Sequence, residues 1–251
     1  MDVLKVSPFK QKMIESFPLD CKIKSVSIKS ENEIYACTDK GLKRLKDGVW
    51  QDYCDDKLYS IVYCDGKGRV LGAFENKVYV ITDKGAELLF EFISQVTDIK
   101  FDEKLYVLTA THVYIETEDE DKFFNLGGLE QEGLHLAVGS GRVCVADSRC
   151  IQRMEGKRRT WRCIFPDHST MPKINIQCIA FDKNGYLLVG ADEGLFIYDY
   201  KSGWVGKNEI SILPSESVYS ICVCDDGSFI VGTDAGAVHI KNGLAKYLPA
   251  T

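Results

Sequence analysis

The sequence predicts an all-β protein built from six copies of one four-stranded antiparallel unit, and three observations carry that prediction. The first is a hairpin written twice near the carboxyl end, as "YLLVGADEGLFIYDYKSG" over 186–203 and "SFIVGTDAGAVHIKNG" over 228–243. The second is that the hairpin recurs along the chain. Aligned on the residue that closes its apolar strand, it falls at Asp39, Glu75, Ala110, Asp147, Asp192 and Asp234, with spacings of 36, 35, 37, 45 and 42 residues. A fixed period of this length marks a repeat architecture. The third is period-two alternation of Val, Ile and Tyr, broken by turns roughly every eight to twelve residues, which fits strands and not helices.

Each unit reads as four short strands. In the fifth unit these are "IQCIAF", "YLLVGA", "LFIYDY" and a stretch running through "EISIL". Between first and second strands stand "SENE", "DGKG", "DEK", "GSG", "DKNG" and "DDG"; between third and fourth stand "KDG", "TDKG", "EDED", "MEG", "KSG" and "KNG". Gly and Asn supply the positive φ that tight hairpins demand, and Asp bonds its own backbone two residues on. One such sheet cannot bury both faces alone, but radial stacking buries them all, which predicts a β-propeller of four-stranded blades. Six blades fit best, with seven as the alternative. Proline placement agrees: Pro18, Pro166, Pro214 and Pro249 each follow a bulky apolar residue where a fourth strand should end, and an outer edge tolerates a missing N–H. Residues 1–20 hold half a unit and are expected to add an outer closing strand to a single domain over 21–251.

Bulk numbers exclude several classes. A net charge of -6 argues against a nucleic-acid surface, because counterion release needs clustered Lys and Arg. The one basic cluster, Lys157-Arg158-Arg159 with Arg162, reads as a solvated hairpin tip. No apolar run reaches the roughly 18 residues of a membrane span, and the amino terminus has no signal-peptide core. Ten cysteines show no framework spacing and no CxxC pair. Reduced thiols in a cytoplasmic protein are the economical reading. Cys222 and Cys224 share a strand face that a metal site could use, but no further ligand stands at the right spacing.

The fifth and sixth units, "CIAFDKNGYLLVGADEGLFIYD" and "SICVCDDGSFIVGTDAGAVHI", resemble the two-component-regulator propeller repeat: an apolar inner strand, Asp-x-x-Gly, an apolar strand ending Gly-Thr, then a spaced Gly-Leu. The first unit matches weakly, and units two to four match in period. Leu188 and Ile230 stand where that repeat carries Trp in the second strand. The resemblance implies a sensory or ligand-recognition module, of a kind often extracellular and joined to a kinase. It implies no catalytic residue, since the motif is structural.

Candidate chemistry gathers at the loops joining second to third and fourth to first strands, which in a propeller open on one face. Asp39, Glu75, Asp147, Asp192 and Asp234 would form an acidic mouth there, with His112 beside the break at Ala110. Such a rim suits a basic protein or a polar ligand; no cofactor is expected, although its carboxylates could hold Ca²⁺ or another hard cation. The competing reading is turn chemistry, since Asp beside Gly is what a β-turn selects. The longest connection, "FPDHSTMPKIN" over 165–175, adds Asp167 and His168 as a specificity element. His135 is expected on an inner strand and His239 on a third-strand surface. Trp50, Trp161 and Trp204 fall near fourth-strand starts and read as packing between blades. The expectation is a non-catalytic recognition or scaffold propeller. The alternatives are a metal-dependent propeller hydrolase or lactonase, and a sensor propeller cut from a longer chain.

Overall fold

A computed structural model of the chain describes residues 19–30, 32–54, 57–118, 122–155, 160–164, 174–205, 213–241 and 244–249. The fold is all-β: six four-stranded antiparallel blades of a six-bladed β-propeller, each with its strands side by side in chain order. The expected closing segment before residue 19, the Asp167–His168 loop and the Lys157–Arg159 cluster lie outside the described residues. The strands fall into two compact units, the first within Met13–Leu134 and the second within His135–Thr251.

The first unit holds three blades. Blade 1 is β1 (Ile23–Ser30), β2 (Glu33–Thr38), β3 (Gly41–Lys46) and β4 (Val49–Asp52); blade 2 is β5 (Ile61–Cys64), β6 (Val70–Phe74), β7 (Lys77–Thr82) and β8 (Gly85–Glu91); blade 3 is β9 (Val96–Asp102), β10 (Lys104–Thr109), β11 (His112–Glu116) and β12 (Phe123–Gly128). Its core forms in two seams. Tyr35, Cys37 and Leu42 of blade 1 pack on Tyr59, Val62, Val70 and Ile81, while Leu71, Ala73 and Val78 of blade 2 pack on Ile99, Leu105 and Val107. Successive residues of β6 therefore face opposite neighbours, which is why a second strand reads as an unbroken apolar run. The β1–β5 seam is polar instead: the amides of Val62 and Cys64 donate to Ser25 Oγ (3.3 Å) and Ser27 Oγ (2.8 Å).

The second unit repeats the plan. Blade 4 is β13 (His135–Gly139), β14 (Arg142–Ala146), β15 (Ile151–Glu155) and β16 (Thr160–Ile164); blade 5 is β17 (Ile176–Phe181), β18 (Leu187–Ala191), β19 (Gly194–Asp199) and β20 (Gly203–Val205); blade 6 is β21 (Val218–Val223), β22 (Phe229–Thr233), β23 (Gly236–Lys241) and β24 (Leu244–Pro249). Leu187, Val189 and Ala191 face Ala137, Cys144 and Ile151 of blade 4, whereas Leu188 joins Val218, Val231 and Val238 of blade 6. Gly190 is needed for that second contact. A Cβ there would stand 2.5 Å from both Cys178 Sγ and Val218 Cγ1.

Sequence expectations and structure differ in detail. The fourth strand of blade 5 starts at Gly203, earlier than the "EISIL" stretch, most of which lies outside the described residues. Trp50, Trp161 and Trp204 are each the second residue of a fourth strand and half-buried. Trp204 meets the Tyr198 ring of its own blade edge-on at 5.0 Å, and it packs against the core cluster shared by blades 4 and 5. Not every strand cysteine is sequestered: Cys37 and Cys144 are buried, and burial pushes each thiol up to about 12, while Cys222 is exposed.

Candidate recognition surface

All six aligned positions stand one residue past the end of a second strand, at Asp39, Glu75, Ala110, Asp147, Asp192 and Asp234. The local reason is a shared turn. Where the strand ends in Thr, its hydroxyl donates across the turn to the carbonyl of the residue opening the third strand: Thr38 to Gly41 (2.7 Å), Thr109 to His112 (3.1 Å) and Thr233 to Gly236 (2.7 Å). Gly236 has φ +123°, a conformation that L side chains rarely adopt, which explains the Gly at that point of the repeat.

The carboxylates following these strands do two different jobs. Asp39 Oδ1 accepts from the Lys22 amide at 2.9 Å, and Asp192 Oδ1 accepts from the Asn175 amide at 2.8 Å. In both blades the acid thus ties down the chain just before the first strand. Asp147 Oδ1 accepts from the Arg149 and Cys150 amides at 2.5 and 2.6 Å, closing its own turn. Glu75 and Asp234 are exposed, as Asp39 and Asp192 are, but neither side chain has a hydrogen bond or ion pair among the described residues. Glu75 has φ +53°, and its carbonyl takes the Val96 amide of the next blade at 2.9 Å. His112 is half-buried, with Nδ1 2.9 Å from Thr111 Oγ1, which in turn lies 2.8 Å from Ser94 Oγ. No bond joins two of these predicted side chains, and among the described residues no three His, Cys, Asp or Glu side chains are grouped to hold a metal ion.

The turns also lace neighbouring blades within each unit. Besides the Glu75–Val96 bond, the Ile176 amide donates to the Ser148 carbonyl at 2.8 Å, and Ser217 Oγ donates to the Asp192 carbonyl at 3.4 Å. A ligand at these loops meets a braced backbone, which limits the ordering cost of binding.

Three polar clusters at the opposite strand ends were not legible in the sequence. In the first unit, Arg69 Nε donates to Asp65 Oδ2 at 2.7 Å, and its two terminal nitrogens donate to Glu116 at 2.7 and 3.1 Å, joining blades 2 and 3. Lys67 Nζ adds a 2.8 Å bond to Glu116. Burial alone would raise the Glu116 carboxyl, but the bonds from Arg69 and Lys67 outweigh it and hold it below the usual range. In the second unit, His239 is half-buried on the third strand, where its Nε2 lies 2.8 Å from the buried Ser228 hydroxyl, which donates to Asp226 Oδ1, itself paired through Oδ2 with Lys241 at 2.8 Å. The bonds from Lys241 and Ser228 hold Asp226 well below the ordinary carboxylate range. The third cluster gathers Arg142, Arg153 and Tyr200. Only the "DGKG" and "DDG" turns, which place Asp65 and Asp226, gave any sign of these groupings.

No protein-family model matches the sequence, and no curated protein matches it. Solved structures do. The chain superposes on YCF48 bound to D1 peptide with TM-score 0.71 and 14% identity, over 98% of this chain and 86% of that one. It superposes on the virginiamycin B lyase from Staphylococcus aureus with TM-score 0.70 and 12% identity, over 92% and 85% of the two chains. The extracellular domain of the putative one component system BT4673 from B. thetaiotaomicron gives TM-score 0.66 and 17% identity, over 86% of this chain and 32% of that one. At these identities the likeness is one of fold: the chain is a six-bladed propeller, similar in architecture to regulator extracellular domains as its repeat resemblance implies.

Proposed function

We propose that the chain is a non-catalytic recognition propeller, holding a protein or small polar ligand at the turns that end its second strands. The observation that supports this is the division among the turn acids. Asp39, Asp147 and Asp192 accept backbone amides, whereas the side chains of Glu75 and Asp234, exposed like those of Asp39 and Asp192, have no hydrogen bond or ion pair among the described residues. A fixed, solvated carboxylate steers and selects a cationic partner without the desolvation cost of a buried one. The fold likeness agrees with a binding role, since one neighbour carries a bound peptide and another is the extracellular domain of a one component system. The virginiamycin B lyase neighbour is the observation on the side of the enzymatic alternative. A reducing compartment is the setting proposed, in keeping with ten cysteines whose spacing shows no disulfide framework.

The test presents lysine-rich, neutral and aspartate-rich peptides to immobilised protein at low and high salt. Lysine-rich peptides are expected to be retained in a salt-sensitive manner. Glu75→Gln and Asp234→Asn should each weaken retention by up to roughly fivefold, the scale of one exposed charge pair. Equal retention of neutral peptides, or variants that bind like the parent, would remove these turns as the contact. Addition and chelation of Ca²⁺ in the same assay separates a metal-bridged contact from a direct one.

A further inference from the structure

Blade 4 carries a charge arrangement that the turn acids do not account for. Cys144 pairs with Arg153 across β14 and β15, and Arg153 pairs with Arg162 across β15 and β16, so the three side chains form one row on one face. Arg142, two residues before Cys144, and Glu155, two beyond Arg153, share that face by strand alternation. Tyr200, in the turn between β19 and β20, enters from blade 5. Its ring lies 4.4 Å from Arg142 Cζ and 5.0 Å from Arg153 Cζ, and its hydroxyl is 3.1 Å from the buried Cys144 Sγ.

Glu155 is the one acid paired with these arginines among the described residues: Arg153 bonds it, and Arg162 Nη1 stands 3.7 Å from it. Arg142 Nη1 donates to the Gly185 carbonyl at 3.1 Å, a seat that depends on Gly185, where a Cβ would lie 2.5 Å from that nitrogen. Among the described residues this face thus carries three guanidinium groups and one carboxylate, and guanidinium does not deprotonate. Like charges directly opposite across a sheet destabilise it. A chain of net charge -6 has no bulk reason to gather such an excess.

We propose that this arginine face is a binding site for a phosphate monoester. The local excess of two positive charges matches a group carrying close to two negative charges at neutral pH better than it matches a single carboxylate. The guanidinium fork fits tetrahedral oxyanions through paired N–H donors. Ring stacking holds Arg142 and Arg153 in place beforehand. Arg162, whose side chain is 74% exposed, is the arm that closes on the ligand.

Calorimetric titration at low ionic strength tests this, using inorganic phosphate, a small phosphomonoester, a phosphoserine peptide with its unphosphorylated counterpart, and acetate. Phosphate and phosphoesters are expected to bind, acetate and the unphosphorylated peptide not. Arg162→Gln and Arg153→Gln should each weaken phosphate binding by roughly tenfold. Arg162 is exposed, so its replacement leaves the fold intact even where Arg153→Gln disturbs the Tyr200 seat. A phosphopeptide stronger than the small phosphoester identifies a modified protein as the source, and the reverse order identifies a free metabolite. Absence of phosphate binding to the parent, equal binding of acetate, or undiminished binding by Arg162→Gln overturns the proposal. Because this face lies at the other end of the strands from Asp147, Asp192 and Asp234, Asp234→Asn should bind phosphate like the parent, so the two readings fail separately.

Discussion

Replacing Arg69 by Met removes the cation that joins blades 2 and 3. Asp65 and Glu116 have side chains 0% and 6% exposed, against 22% for Arg69. Deleting one partner of a buried ion pair costs about 3–5 kcal/mol, because the remaining charge is left without compensation. Here the loss should sit near the lower bound, about 3 kcal/mol. Asp65 Oδ1 keeps the amides of Lys67 and Arg69 at 3.0 and 2.9 Å, and Glu116 keeps Lys67. Urea denaturation at constant slope measures the shift in midpoint. Replacing Glu116 by Leu in the same protein should recover most of the loss, since an apolar pair leaves one buried charge fewer to compensate. The pH dependence carries its own sign. A carboxyl held below its unfolded value contributes stability above that value and loses it as pH falls through the folded one. The gap between parent and Arg69→Met should therefore be widest at neutral pH and narrow on acidification below about 4.5, the unperturbed glutamate value. A loss under about 1 kcal/mol, or a gap that does not change with pH, would show that the cluster is not a buried staple.

Two further outcomes follow from blade 5. Gly190→Ala places a methyl 2.5 Å from both Cys178 Sγ and Val218 Cγ1, and the resulting overpacking should cost about 1–3 kcal/mol in the same denaturation assay. Asp192→Ala frees the Asn175 amide, so its hydrogen exchange should accelerate with a loss of about 1 kcal/mol, whereas Asp192→Asn, which keeps an acceptor oxygen, should retain most of the protection.

How much was legible in the sequence depends on whether the responsible interaction is local. The Thr-x-x-Gly and Asp-x-x-Gly spacings specify turns whose bonds span two to four residues, as Thr233 to Gly236 and Asp182 to the Asn184 and Tyr186 amides show. The unbroken apolar run of β18 announces a strand covered on both faces, and all five of its residues are buried. Blade number and strand order follow from such signals, because each repeat closes its own sheet. The same alignment located the six turn positions but could not say which acids were in use. Asp39 and Asp192 bond amides 17 residues away, and no local pattern distinguishes them from Asp234, which has no such bond among the described residues.

The sequence alone determined the blades, since their hairpins are written in short-range turn chemistry and alternation. Tertiary structure decided what passes between blades: Arg69 reaching Glu116 across 47 positions, Ser27 receiving the Cys64 amide, and Tyr200 lying between Arg142 and Arg153. Those contacts depend on how one twisted sheet leans on the next. Stacking brings together side chains whose separation along the chain carries no period that marks them as partners.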